Sequence, residues 1–146
     1  MVIRIVFSFY IVMTLLQWIF STISWSADFN PAVAALVKSY SDEKGKGDNQ
    51  GAGFSAERGK EFFFKERINP KGIKGSCTTC HTPNLKESGK TSAGKPIDPM
   101  APSVNPKRVT DPKEIEKWFT RNCKQVLGRE CTSQEKGDVL TFLITQ

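Results

Sequence analysis

The chain has 146 residues, with 21 lysines and arginines, 15 aspartates and glutamates, one histidine and four cysteines. The formal net charge of +6 is small and dispersed, which argues against a nucleic-acid-binding protein. The length fits one small domain preceded by an export segment, so its hydrophobic core is necessarily modest.

Residues 1–26 have the layout of a secretory signal peptide. Arg4 precedes an apolar run over residues 5–20, and Ser24 and Ser26 place small residues where a signal peptidase cleaves. An uncleaved membrane anchor is the alternative, because the run approaches the ~20 apolar residues that span a bilayer, and only that form would contact the membrane. Either way, we expect the remaining chain to enter an oxidising compartment, the periplasm.

A leading helix and a polar link are predicted over residues 27–54, ahead of a domain over residues 55–146. The segment NPAVAALVKSY (30–40) is typical of a short helix. A polar, glycine-rich stretch follows over residues 41–53 and indicates a link.

The segment SAERGKEFFFKE predicts the first helix of the domain. Ser55 is a suitable N-cap, and Ala56, Gly59 and Phe63 fall on one face. A glycine inside a helix costs about 1 kcal/mol relative to alanine. We therefore expect Gly59 to mark the close approach of another helix.

The motif SCTTCH contains Cys77, Cys80 and His81, the single histidine of the chain. This cysteine and histidine spacing is the attachment signal for a c-type haem. A thioredoxin-like redox site would need only the two cysteines, and a zinc site would need thiols that stay reduced. The adjacent histidine and the export segment therefore favour one covalently attached haem c, with His81 as the proximal iron ligand.

A segment without periodicity, rich in Gly, Pro, Ser and Lys, extends from His81 to Asp111. A loop of this length argues against a compact fold unless it packs on a large group, and a haem provides one. Lysines near the haem motif would either bind an acidic partner or keep the surface solvated: Lys71, Lys74, Lys86, Lys90 and Lys95.

The segment TDPKEIEKWFTRNC (110–123) predicts a second helix. Asp111 is a suitable N-cap, Pro112 fits the first helical position, and Glu114 completes a capping box.

The last segment, CTSQEKGDVLTFLITQ, predicts a third helix of the domain. Thr132 and Glu135 form a capping box, while Leu140 and Leu143 give an apolar face. Gly137 is the expected crossing point for the Gly59 helix. Such helices predict an all-α class I cytochrome c fold, packed around one haem with a long haem-wrapping loop.

Two cysteines remain after the haem motif, Cys123 and Cys131. Seven residues separate them, and Gly128 predicts a turn there. In an oxidising compartment we expect these thiols to form a disulfide, worth roughly 2–3 kcal/mol for so short a loop.

The second axial ligand of the haem has two candidates. Met100 is the single methionine after residue 26, and methionine is the usual second ligand in cytochromes c. Its alternative role is packing, because methionine fills irregular gaps.

Asn122 is the other candidate. It follows Ile115, Trp118 and Phe119 along one predicted helix face, and Cys123 beside it would fix the helix end. Its alternative role is an ordinary hydrogen bond to backbone or water.

The segments SCTTCH, MAPSVNPKRVTD, EKWFTRNCKQVLGREC and EKGDVL resemble the sphaeroides haem protein (SHP) family of high-spin class I cytochromes c, over roughly residues 30–146. The resemblance implies that Asn122 is the distal ligand of ferric haem and leaves on reduction, opening the iron to oxygen, nitric oxide or carbon monoxide. It also implies the Cys123–Cys131 disulfide. The chain departs from the family at Met100, where members have a non-coordinating apolar residue.

The resemblance further implies a dihaem or membrane cytochrome as electron donor and small gases as ligands. Electron transfer and gas chemistry, including nitric oxide oxidation, both stay open. One alternative is an ordinary electron carrier with Met100 as distal ligand. The alternative outside the haem proteins is a secreted, disulfide-stabilised binding module without a cofactor.

Overall fold

The computed structural model describes residues 29–44 and 53–146. The predicted export segment, residues 1–26, and most of the polar link lie outside these ranges. Within them, no helix has the length and apolar character needed to span a bilayer.

Helices dominate the described residues, which confirms the all-α prediction. The five helices are α1 (Pro31–Lys44), α2 (Ala56–Phe64), α3 (Thr78–His81), α4 (Pro112–Leu127) and α5 (Ser133–Ile144). Strand β1 (Arg67–Ile68) pairs antiparallel with β2 (Lys74–Gly75), and β3 (Gly89–Lys90) pairs antiparallel with β4 (Pro96–Ile97).

The two hairpins were not predicted from the sequence. Each strand has two residues, which is too short for an alternating pattern to show. The turns that join them contain Gly72 and Gly94, both with φ of +75°, a conformation that glycine adopts readily.

Side chains cap the helices largely as predicted. The Ser55 hydroxyl accepts a hydrogen bond from the Arg58 amide, and Thr132 and Glu135 form the complete capping box. Asp111 caps α4 by accepting from the Lys113 amide. The predicted box with Glu114 is wrong, because that carboxylate accepts hydrogen bonds from Lys117 and Trp118 instead.

The sequence predicts a close crossing of α2 and α5 at Gly59, and the structure confirms it. A Cβ atom on Gly59 would lie 2.0 Å from the Asp138 carbonyl oxygen. The role predicted for Gly137 needs correction: a Cβ atom there would lie 2.2 Å from the Phe54 ring, which precedes α2. Gly59 therefore packs against the α5 backbone, whereas Gly137 packs against the Phe54 side chain.

The buried Asp138 side chain fixes this crossing. Its carboxylate accepts hydrogen bonds from the Ser55 amide at 2.7 Å and from the Arg58 guanidinium at 2.8 and 2.9 Å. Gln134 donates a further bond at 2.9 Å. A buried carboxylate with this many donors stabilises one orientation of the two helices.

The core brings the long loop against the crossing helices. Its buried members are Phe63 of α2, Leu85 and Ala101 of the loop, and Val139, Phe142 and Leu143 of α5. The Leu85 carbonyl accepts from the amides of Met100 and Ala101, both at 2.9 Å. These bonds join an early part of the loop to its middle.

Helix α1 packs on α4 and α5. Tyr40 is 2 % exposed, and its hydroxyl donates to Glu116 of α4, which also pairs with Lys136 of α5 at 2.8 Å. The helix extends four residues beyond its predicted end, where Lys38 and Asp42 form an i, i+4 ion pair at 2.9 Å. The domain boundary at residue 54 stays a prediction.

We predict that Gly59→Ala lowers the free energy of unfolding by about 1–3 kcal/mol, because the added methyl group meets the α5 backbone. Guanidinium unfolding of the haem-loaded protein measures this. Gly53→Ala is the matched control, since a Cβ atom at Gly53 meets nothing within 4 Å. Equal stability of the two variants would contradict the packing described for Gly59.

Candidate haem site

The predicted haem motif forms a single helical turn. The amides of Cys80 and His81 both donate to the Cys77 carbonyl, at 3.3 and 3.1 Å. Residues at i, i+3 and i+4 of a helix lie on one face, so the turn brings the two cysteines and the histidine together. Ser76 steadies its start, because the Ser76 amide donates to the Thr79 hydroxyl at 2.9 Å.

Strand β3 lies directly against this turn. A Cβ atom on Gly89 would be 1.9 Å from the Cys80 carbonyl oxygen and 3.1 Å from the His81 Cα. Sequence reasoning missed Gly89 as a site residue. Its one signal was a glycine beside polar residues in a loop, which is too common to single it out.

The His81 side chain is half-buried and incompletely hydrogen-bonded. Its Nδ1 is the one buried side-chain polar atom without a hydrogen-bond partner among residues 29–44 and 53–146. Burial, and secondarily the nearby Arg108 cation, lower the pKa of His81 to about 4. The imidazole is therefore neutral at physiological pH, which is the form that binds a metal.

The Cys77 and Cys80 side chains are partly buried thiols that are not joined to each other. Burial raises the pKa of the Cys77 thiol to about 11, although the nearby Arg67 cation opposes the shift. A thioredoxin-like site requires a lowered thiol pKa, so this environment disfavours that alternative. Two partly buried thiols beside an unpartnered imidazole fit a covalently attached haem.

Met100 packs against the hydrophobic core. It is half-buried and contacts the cluster that includes Phe63 and Leu85. The Phe63 ring also lies 6.1 Å from the His81 ring, between centroids. Met100 therefore packs against the core, as its alternative role predicts, and it also lies in the vicinity of the haem motif.

Asn122 lies in the last third of α4 and is half-buried. In the part of the chain that the structure describes, its carboxamide has no hydrogen-bond partner. Phe119, three residues earlier, packs against the core, so this helix face points inward. Of the alternative roles predicted for Asn122, a bond to backbone is not observed, and a bond to water stays a prediction.

Trp118 departs from the predicted apolar face. It is 41 % exposed, and its indole Nε1 donates to Glu114 at 3.1 Å. The cations of Lys117 and Arg121 lie 5.3 and 5.6 Å from the ring centroid. Because these charged neighbours keep the indole at the surface, the inward face of α4 is narrower than the spacing indicated.

The predicted disulfide between Cys123 and Cys131 is present, and both residues are buried. Gly128 ends α4 with φ of +72°, as the predicted turn requires. The disulfide joins the end of α4 to the start of α5. Asn122 is therefore adjacent to a covalently fixed point.

Comparison with known proteins assigns the chain to a family. Residues 49–143 match the family described as "Domain of unknown function (DUF1924)". The chain is 46 % identical over 96 residues to cytochrome c-type protein SHP of Cereibacter sphaeroides, which covers 66 % of this chain and 74 % of that protein.

Two solved structures have the same fold. Oxidised SHP, an oxygen-binding cytochrome c, matches with a TM-score of 0.64 and 39 % identity over 82 % of this chain and 99 % of that chain. The second is the solution structure of cytochrome c'' from Methylophilus methylotrophus, a protein described in connection with haem-ligand detachment. It matches with a TM-score of 0.68 and 35 % identity, over 78 % of this chain and 93 % of that chain.

The fold and the cysteine–histidine turn define a c-type cytochrome of the helical class I architecture, carrying one covalently attached haem c. The chain belongs to the SHP and cytochrome c'' family.

We predict that the haem-loaded protein, purified without reductant, has no free thiol before reduction and two after it. Thiol titration under denaturing conditions measures both values. Cys123→Ser is the control, because it should release the Cys131 thiol and give one free thiol before reduction. Two free thiols in the unreduced native protein would contradict the disulfide.

Proposed function

We propose that this protein is a periplasmic cytochrome c that accepts an electron from a redox partner and then binds a diatomic gas. The gas would occupy the position that Asn122 leaves when the haem iron is reduced. The observation that carries the proposal is the unpartnered carboxamide of the half-buried Asn122, next to the disulfide cysteine Cys123.

The haem-holding residues come from the helical turn of α3. Cys77 and Cys80 would form the thioether bonds, and His81 would bind the proximal face of the iron. When bound, the haem supplies one-electron redox chemistry and a metal position that small gases occupy. The buried, unpartnered Nδ1 of His81 supports a ligand role for this imidazole, because buried polar atoms without partners are rare in proteins.

Asn122 would be the distal ligand of the ferric state. The Asn122 carboxamide has no hydrogen-bond partner among the described residues, so its oxygen is available to bind a metal. A neutral carboxamide oxygen is a hard, weak donor, so it suits ferric iron better than the softer ferrous state. Dissociation of Asn122 on reduction follows from this preference.

The relatives support the same behaviour. SHP is an oxygen-binding cytochrome c, and cytochrome c'' has been studied for haem-ligand detachment. Met100, the alternative distal ligand, is packed against the hydrophobic core, and its backbone amide is bonded to Leu85. These contacts favour a packing role for Met100.

The periplasmic location is supported by two features of the chain. Residues 1–26 have the pattern of an export segment, and the Cys123–Cys131 disulfide is typical of oxidising compartments.

The electron donor would be a dihaem or membrane cytochrome with an acidic surface. Four exposed lysines near the haem motif have no ion-pair partner among the described residues, which supports such an encounter: Lys71, Lys86, Lys90 and Lys95. Lys74, the fifth lysine of this group, pairs with Glu66 at 2.6 Å.

We predict that His81→Ala removes the proximal ligand while leaving the haem attached through Cys77 and Cys80. The absorption spectra of both oxidation states should change, and the pigment should still resist acid–acetone extraction because thioethers are covalent. Cys80→Ala is the companion variant, with one thioether lost and the His81 signature retained. A native spectrum in His81→Ala would contradict the proximal assignment.

We predict that Asn122→Ala makes ferric haem five-coordinate or water-ligated and leaves the ferrous spectrum almost unchanged. Met100→Leu, which retains the volume and removes the sulfur, should alter neither oxidation state. Absorption and electron paramagnetic resonance spectra measure ligation in each variant. The opposite pattern would identify an ordinary electron carrier: a far-red sulfur-to-iron band in ferric protein that Met100→Leu abolishes, with slow carbon monoxide binding.

A further inference from the structure

The β1–β2 hairpin, which leads into Cys77, contacts the C-terminal end of α4. The Asn69 side-chain amide donates a hydrogen bond to the Gln125 carbonyl at 3.0 Å, across 56 residues of sequence. Gln125 lies three residues after Asn122. The segment that precedes the haem-attachment turn is thereby bonded to the helix end that carries the proposed distal ligand.

The hydrogen bond from Asn69 provides a donor for a carbonyl that has none within α4. The last four carbonyls of an α-helix have no intrahelical donor, and α4 ends at Leu127. The Gly128 amide donates to the Lys124 carbonyl at 3.1 Å. The Asn69 side-chain amide donates to the next carbonyl, that of Gln125. The Asn69 side chain therefore caps α4 from a different part of the chain.

The same carboxamide also builds the hairpin tip. The Asn69 Oδ1 accepts hydrogen bonds from the amides of Lys71 at 2.9 Å and Ile73 at 3.0 Å. Pro70, at the tip, fits against the helix end, because a Cβ atom on Gly128 would lie 2.2 Å from the proline ring. Hydrogen bonds to one side chain thus shape the hairpin tip where it meets α4.

We propose that Asn69 is a positioning residue for the distal ligand, which it holds in place through the Gln125 carbonyl. The proposal rests on the proposed function, because it requires Asn122 to bind ferric iron. The Cys123–Cys131 disulfide restrains the end of α4 from the side of α5. Asn69 restrains it from the side of the haem-attachment turn, so the two together set the distance that a weak ligand has to bridge.

Asn69→Asp tests this role selectively. Aspartate keeps the oxygen that the hairpin tip requires and loses the amide donor to Gln125. A neutral hydrogen bond changes an equilibrium constant by about fivefold, so Asn122 should compete that much less for ferric iron. Cyanide should therefore bind the ferric, haem-loaded variant up to about fivefold more tightly, while the carbon monoxide affinity of the ferrous form stays unchanged.

Asn30→Asp is the matched control at the opposite end of α4. The Asn30 Oδ1 accepts from the Val33 amide at 2.9 Å, and its Nδ2 donates to the Thr110 carbonyl at 2.9 Å. The substitution removes the same kind of bond and adds the same charge. It should leave cyanide affinity unchanged.

The Asn122→Ala background separates the two claims. Asn122→Ala alone should tighten cyanide binding, and Asn69→Asp should have no further effect in that background. The role of Asn69 is overturned if Asn69→Asp binds cyanide like the native protein, or tightens binding equally when Asn122 is absent. If Asn122→Ala itself leaves cyanide affinity unchanged, the distal-ligand assignment fails, and the role of Asn69 fails with it.

Discussion

The backbone of α5 lies directly against Gly59 of α2, and the placement of the haem motif depends on this contact. The buried carboxylate of Asp138 fixes the crossing by binding the start of α2. The crossing then places Phe63 in the core, where its ring contacts the His81 imidazole. A larger residue at Gly59 would separate the helices and move the surface on which the imidazole rests.

The proposed distal ligand lies near the end of one helix. Helix α4 begins at a capped proline turn and ends at Gly128, between a disulfide and a hairpin. Asn122 lies within the last two turns, where these restraints act. A strong ligand such as histidine would need little help from its surroundings, whereas a neutral carboxamide binds weakly and gains from a fixed position. As the proposed ligand, Asn122 would combine a weak donor with a restrained helix end, which suits a ligand that binds in one oxidation state.

Most local features of this protein could be predicted from the sequence, whereas most contacts between distant segments could not. The caps at Ser55 and Thr132 follow from residue types whose preferences act within one helical turn. The close approach at Gly59 could be predicted because a glycine inside a helix is costly unless another segment packs on it. Gly89 and Asn69 were missed because their partners are far away in sequence or lie in irregular loops. The exposure of Trp118 was also missed. Helical spacing identifies an apolar face of a helix, but it does not show how much of that face the neighbouring elements cover.

The central claim is that Asn122 binds ferric iron and leaves on reduction. Crystal structures of the haem-loaded protein, oxidised and then reduced in the crystal, test it most directly. The account predicts the Asn122 carboxamide at the iron in the oxidised structure and away from it in the reduced one, with Met100 in the hydrophobic core in both. The Met100 sulfur at the iron in both oxidation states would contradict it.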